Sequence, residues 1–197
     1  MSISNFNGVV ARQPSSIETK MQKLSTEELL AQYVAGKRDF EHTDLSQAYL
    51  FEANLEKINL KNSNLQAIHL PYANLTQANL HKAQLQAAEL GDANLYQTDL
   101  SDAKLQNANL SRANLRYANL RNADLSYANL QGADLYNADL SYANLKYADL
   151  SRANLAGAKL EKAQLRGSNL FRAQELDASQ AYFDRTTTFP DGYPGNI

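Results

Sequence analysis

The sequence contains no cysteine and no tryptophan. Without thiols, disulfides, thiolate zinc sites, iron–sulfur clusters and cysteine nucleophiles are all excluded. Histidine occurs only at His42, His69 and His81, which restricts imidazole catalysis and metal binding. Glycine (8) and proline (4) are sparse among 197 residues, so the turns cannot depend on them. No apolar run approaches the roughly 18 residues that span a membrane. The opening stretch MSISNFNGVVARQPSSIETK lacks an apolar h-region and a small-residue cleavage site, so the expected compartment is the cytoplasm. Neither sign of charge is in excess. Lys and Arg number 19, Asp and Glu 21, and the net charge is -2. A nucleic-acid binder usually shows a basic excess, so no nucleic-acid partner is expected.

What the chain has in abundance is leucine at a fixed spacing. Leu occupies every fifth position from Leu45 to Leu170, 26 positions without a break, and Phe40 extends the series upstream. Two residues before each Leu stands a small residue. Ala fills 20 of these 26 sites, and Thr43, Ile58, Ser63, Ile68, Thr98 and Ser168 fill the rest. The residue directly before Leu is Asn 13 times and Asp 6 times. The other two positions of the pentad vary.

Neither regular element accommodates a period of five. On an α-helix successive leucines would scatter around the cylinder. On a strand they would alternate between faces. Each buried Leu contributes roughly 1.5–3 kcal/mol, so a fold that hides all of them outcompetes one that hides half. The solution is a coil that turns once per pentad and aims every Leu at one axis. Ala then lets the chain pass close to that axis.

Over residues 40–170 the Ala-Asn-Leu-x-x unit resembles the pentapeptide repeat family, as at Ala113-Asn114-Leu115 and Ala128-Asn129-Leu130. The resemblance implies an all-β solenoid: a right-handed quadrilateral parallel β-helix with four pentads per coil and nearly seven coils. At about 4.8 Å per coil the rod is roughly 30 Å long. Asn54, Asn74, Asn94 and Asn114 are then expected to stack as an amide ladder. The resemblance also implies a bacterial source, with a cyanobacterium as the expected one.

A solenoid needs covered ends. The expected division is a disordered segment 1–15, an N-terminal helical cap 16–37, the β-helix 38–175 and a C-terminal capping tail 176–197. Ser25-Thr26-Glu27-Glu28 is a capping box, and Leu29, Leu30, Tyr33 and Val34 follow at helical spacing before Gly36. This predicts a helix over about 26–35 with its apolar side on the first coil. A second short helix is expected over 16–24. At the other end the register breaks at Glu175 and Leu176. Leu176, Phe183, Phe189 and Tyr193 are candidates to cover the last coil or to form an end-to-end homodimer; the other reading is a monomer.

With 20 residues per coil, residues 20 apart stack in columns about 4.8 Å apart. His81 then meets Ser101 and Asp102, the residue types of nucleophilic catalysis, but on a convex face without a pocket or oxyanion hole. His42 and His69 lie elsewhere. No catalytic residue, metal or cofactor is expected. Gly132, Gly157 and Gly167 fall at outward positions, and Tyr127 stacks on Tyr147. The columns bring Tyr96, Arg112, Arg116, Tyr117, Tyr136 and Arg152 onto the C-terminal half as a Tyr/Arg patch, residue types enriched at binding hot spots. The alternative is that these side chains pack between coils for local stability.

Two function classes follow. The first is a non-enzymatic protein-binding or scaffold protein using the outer faces of a rigid rod, with a protein partner yet to be identified. The second comes from the resemblance: some family members imitate DNA and bind type II topoisomerases, protecting gyrase from quinolones. Such members are strongly acidic on one face, whereas residues 41–175 here hold 14 acidic and 13 basic residues.

Overall fold

The computed structural model describes residues 21–195. The expectations for residues 1–15, and for the part of the 16–24 helix before residue 21, lie outside the described residues. From Asp39 onward single residues pair in parallel with the residue 20 further on, as in Asp39 with Asn59, Asn54 with Asn74 and Asn154 with Gln174. A coil therefore takes 20 residues, or four pentads. Each face is held by a single bridging residue, because the rest of the pentad is spent on its turn. The described residues contain only two named strands, β1 (Gln22–Lys23) and β2 (Thr43–Asp44), and one helix, α1 (Thr26–Val34).

All 26 leucines of the series are buried, none more than 4 % exposed. The alanine positions lie beside them, with Ala48, Ala53 and Ala158 only partly covered. Leu and the residue two before it share the inward face, and the Asn or Asp between them points outward. Hydroxyls at the small position stay buried by bonding the backbone: Thr98 Oγ1 donates to the Leu75 carbonyl at 2.8 Å, and Ser63 Oγ to that of Phe40 at 3.1 Å.

Each of the five N–H groups in a regular pentad finds an acceptor, which explains the consensus. Around Leu45, the Leu45 N–H donates to Asn64 O on the next coil at 2.9 Å, and Gln47 N–H to Gln66 O at 2.9 Å. The Ala48 N–H closes a turn on Leu45 O at 3.0 Å, and Asn64 N–H donates back to Thr43 O at 2.9 Å. The fifth, Ser46 N–H, donates to Asp44 Oδ1 at 3.0 Å. Asn or Asp before Leu is thus the acceptor for a donor that the coil leaves over, an Asx turn. Where His69 stands at that position, the residue two later is Pro71, which has no N–H to satisfy.

The turn also fixes backbone hand. Every fifth residue from His42 to Arg172 has φ between 50° and 71°. Together with the three-residue hydrogen bond this is the pattern of a type II turn. Most of these sites carry ordinary side chains, so the coil holds them left-handed. Gly167 has a further reason. A Cβ there would stand 2.5 Å from the Tyr147 ring, which stacks on Tyr127 at 5.0 Å and 16°. At Gly132 the nearest atom is Arg112 Cγ at an ordinary 3.6 Å. Gly167→Ala is expected to cost about 1–2 kcal/mol more than Gly132→Ala, because the ring must leave its stack. Thermal melts and near-ultraviolet circular dichroism of the two variants check this.

Polar side chains reinforce the stack. The Asn144, Asn154 and Asn169 amides donate to Asp124, Asp134 and Asp149 one coil earlier at 2.9, 2.9 and 3.1 Å. In the Asn54 column, Asn74 donates to Asn54 and Asn114 to Asn94, but Asn94 turns to Thr76 Oγ1 at 3.0 Å. The expected ladder is therefore interrupted at one rung. No acidic residue stacks directly on another in these columns, which avoids like-charge contacts. Burial alone would push the Asp139 carboxyl up, yet hydrogen bonds from Ser141 and Arg121 bring it below the usual carboxylate value. Asp92, bonded by Arg112, and Asp177, bonded by Ser179, are lowered too. A depressed carboxyl contributes stability that is present above its unfolded value near pH 4 and lost as pH falls through its folded value. Urea midpoints are expected to be level from pH 7 to about pH 5 and to fall below about pH 4.

The N-terminal end is closed by α1. Ser25 Oγ accepts from Glu28 N–H at 3.1 Å and Glu28 Oε2 from Ser25 N–H at 2.8 Å, the predicted capping box. Leu29 and Tyr33 are buried. The Tyr33 hydroxyl donates to Glu56 O at 2.8 Å, and Arg38 stacks over the Tyr33 ring at 3.9 Å. Val34 departs from the expectation. It is 83 % exposed, because the helix ends there with its buried face carried by Leu29 and Tyr33.

The helix expected over 16–24 is also corrected in its described part. Gln22–Lys23 is extended and pairs in parallel with Thr43–Asp44. The first coil would otherwise present open backbone, and Leu24 N–H donates to Asp44 O at 3.2 Å. Closing that edge outweighs local helix propensity.

At the C-terminal end pairing continues with a shortened register: Gln164 with Tyr182 and Asn169 with Thr188. Thr187 is fully buried and bonds Leu165 O at 2.8 Å. Leu176 and Phe183 pack partly against the core, and Phe183 meets Phe189 edge to face at 5.0 Å. Tyr193 does not join them. It is 71 % exposed, because the turn that brings Gly195 N–H onto Thr187 O leaves its ring outside.

Candidate partner-binding surface

Four of the six patch residues come together. Tyr96, Tyr117 and Tyr136 form an edge-to-face series with centroid distances of 5.7 and 5.6 Å. Arg116 lies over Tyr136 at 4.4 Å and bonds Asp134 Oδ2 at 3.1 Å. Tyr117 is exposed at the centre of the series, and its two neighbours are half-buried. Tyr96 and Tyr136 share one 20-residue column with Arg116 between them, and Tyr117 projects from the neighbouring column to meet both rings.

Arg112 and Arg152 stand around the corner. Arg112 pairs bidentately with Asp92 at 2.8 and 2.6 Å, and that pairing holds the Asp92 carboxyl below its usual value. Gly132 separates Arg112 from Arg152 in their column. Arg152 is exposed and makes no ion pair among the described residues.

A second exposed aromatic group lies on the first coils, and the column reading did not single it out. Phe51 meets Tyr72 edge to face at 5.7 Å, and Tyr49 lies 5.3 Å from His69. The signal was available, since Phe51, Pro71 and Tyr72 stand at turn positions around one corner.

The predicted meeting of His81, Ser101 and Asp102 occurs, but its bonding does not activate the serine. His81 Nδ1 lies 2.8 Å from Ser101 Oγ and 3.8 Å from Asp102. Ser101 Oγ donates its single hydrogen to Asp99 Oδ1 at 2.7 Å. Nδ1 must then be the donor to the hydroxyl, the reverse of a general base. Among the described residues no group of three His, Asp or Glu side chains is arranged to hold a metal ion. No helix among them is long and apolar enough to cross a membrane.

Comparison with known proteins agrees with the repeat. The family profile described as pentapeptide repeats (8 copies) matches residues 38–66, 63–102, 93–132, 103–141 and 133–172. No curated protein matches the chain. Among solved structures, alr5209, a pentapeptide repeat protein from Nostoc PCC 7120, is 32% identical. The match covers 84% of this chain and 99% of that one, with a TM-score of 0.35. HetL, a pentapeptide repeat protein involved in heterocyst differentiation regulation from the cyanobacterium Nostoc sp. strain PCC 7120, is 28% identical. That match covers 87% of this chain and all (100%) of HetL, with a TM-score of 0.37. QnrB1, a plasmid-mediated fluoroquinolone resistance protein, shares the fold at 22% identity and a TM-score of 0.52, over 74% of this chain and 75% of its own. Since the family profile matches residues from 38 to 172, well over half of the chain, the chain belongs to the pentapeptide repeat family.

Proposed function

We propose that the chain is a non-enzymatic protein-binding or scaffold protein, built as a right-handed quadrilateral β-helix whose outer faces carry the partner site. The observation that supports this is the Tyr96–Tyr117–Tyr136 series with Arg116 laid over its last ring. Its core positions need only Leu and Ala, so the aromatic and cationic residues of this outer face are additional to folding. Tyr and Arg combine large contact area with directional bonding at low entropy cost. Arg112 and Arg152 extend the face around the corner, and both lie outside the closed ring series.

The test is an affinity pull-down with the wild type and the variant Arg112→Ala/Arg116→Ala/Tyr117→Ala, followed by mass spectrometry. A protein retained by the wild type and lost by the variant supports the reading. Identical profiles assign the rings to coil packing. A duplex-mimicking role demands a continuous acidic face, and here Asp92, Asp134 and Asp139 each carry an arginine partner. Supercoiling by gyrase, with and without inhibitor, is expected to be unchanged by a large excess of the protein.

A further inference from the structure

The coil ladder has an open rung where the chain leaves its regular register. On the last regular coil but one, Asn137 N–H, Ala138 O and Leu140 N–H bond Ala156 O, Lys159 N–H and Lys159 O at 2.9, 2.9 and 2.8 Å. One coil later the equivalent groups are Gly157 N–H, Ala158 O and Leu160 N–H. None of the three has a partner among the described residues. The cause is the register break. The chain leaves the coil at Glu175, which has φ 53°, and Ser179 N–H turns to Asp177 Oδ1 at 3.0 Å. Pairing resumes only where Lys162 N–H meets Gln180 O at 2.7 Å. Above the gap is a cavity of about 380 Å³ with Ala158 and Leu160 among its lining, within the range of about 300–1,000 Å³ common for small binding sites.

We propose that this rung receives an extended segment of a partner protein carrying a Lys or Arg side chain. A donor, an acceptor and a second donor in strand order match the edge of an extended peptide. Its carbonyls take the hydrogens of Gly157 and Leu160, and its N–H donates to Ala158 O. Charge selects the side chain. The walls carry Lys159 and the carboxylates of Glu161 and Asp177, and the Lys162 ammonium already pairs with Glu161 Oε1 at 3.8 Å. Glu161 Oε1 is bonded by the Tyr142 hydroxyl at 3.1 Å. Asp177 makes no ion pair among the described residues, and only its Oδ1 is engaged. Asp177 is the wall carboxylate without a cation, so a neutral backbone with one cationic side chain satisfies both the edge and Asp177 Oδ2. This site does not depend on the Tyr/Arg face, and either can fail alone.

The experiment is an amide NMR titration of the full chain with two pools of capped pentapeptides, one with a fixed Lys and one with a fixed Glu. The Lys pool is expected to move the Gly157 and Leu160 amide resonances downfield, and Asp177→Asn to weaken that binding about tenfold. Asn keeps the turn on Ser179, so the variant folds. No movement of these amides, an equal response to the Glu pool, or movement confined to the Tyr96–Tyr136 face overturns the proposal. Movement on raising the protein concentration alone overturns it too, because a second copy then fills the rung.

Discussion

Leu115→Ala is expected to destabilise the rod by about 3–5 kcal/mol. Leu115 is fully buried and lies between Leu95 and Leu135 in its column. Its backbone is tied on two sides: its N–H donates to Asp134 O at 2.8 Å, and its carbonyl accepts from Ala118 N–H at 3.1 Å. Neighbouring coils are bonded just as regularly, so the backbone cannot sink into the space that the side chain leaves. Poor collapse places a Leu→Ala change at the high end of its range. In a solenoid, stability is close to a sum over coils and their interfaces, and a central defect weakens the interfaces on both sides. Leu170→Ala, covered by the shortened tail coil, is expected to cost less. Urea unfolding followed by circular dichroism measures both. A loss at Leu115 below about 1 kcal/mol would mean that the axis is loosely filled.

The turn at every pentad was legible because it follows from arithmetic, whereas four pentads per coil came from the family resemblance. A period of five is incompatible with helix and strand, and only a turn per pentad buries Leu45 through Leu170 together. The α1 capping box was legible because its bonds are local, from Ser25 to Glu28. Features decided by tertiary pairing were not. Residues 22–24 read as helical, yet the open first coil draws them into an extended pair with Thr43–Asp44. Val34 and Tyr193 are apolar by composition and exposed by position. The left-handed turn residue has no residue signature, since Lys, Tyr, Asn and Arg all occupy it. For the candidate surface, columns of 20 placed the rings and guanidinium groups in one region. The ion pairs between Arg116 and Asp134 and between Arg121 and Asp139 span 18 residues and escape that reading. The open rung at Gly157–Leu160 escapes it as well, because it depends on where pairing resumes after Glu175.

Asp124→Ala is expected to cost about 2–4 kcal/mol, although the residue is only half-buried. Its Oδ1 accepts from Ser126 N–H at 3.0 Å, from Ser126 Oγ at 2.7 Å and from Asn144 Nδ2 at 2.9 Å. Its Oδ2 accepts from Gln106 Nε2 at 2.7 Å. Hydrogen bonds to a charged acceptor contribute about 1.5–3 kcal/mol each when buried, and water replaces part of that here. Alanine leaves the Ser126 N–H as the one unmatched donor of its pentad and unties three consecutive coils at one corner. Asp124→Asn retains the Oδ1 acceptor for the turn and for Asn144. Its new amide becomes a donor, and the Gln106 Oε1 atom, buried without a partner, is available to it after the Gln106 amide rotates. That variant is expected to stay within about 1 kcal/mol of the wild type. A double-mutant cycle with Asn144→Ala separates the ladder from the turn. A coupling near 1 kcal/mol assigns part of the loss to the bond between coils. A coupling near zero assigns all of it to the Asx turn, and the preference for Asn and Asp before leucine then rests on the turn donor alone.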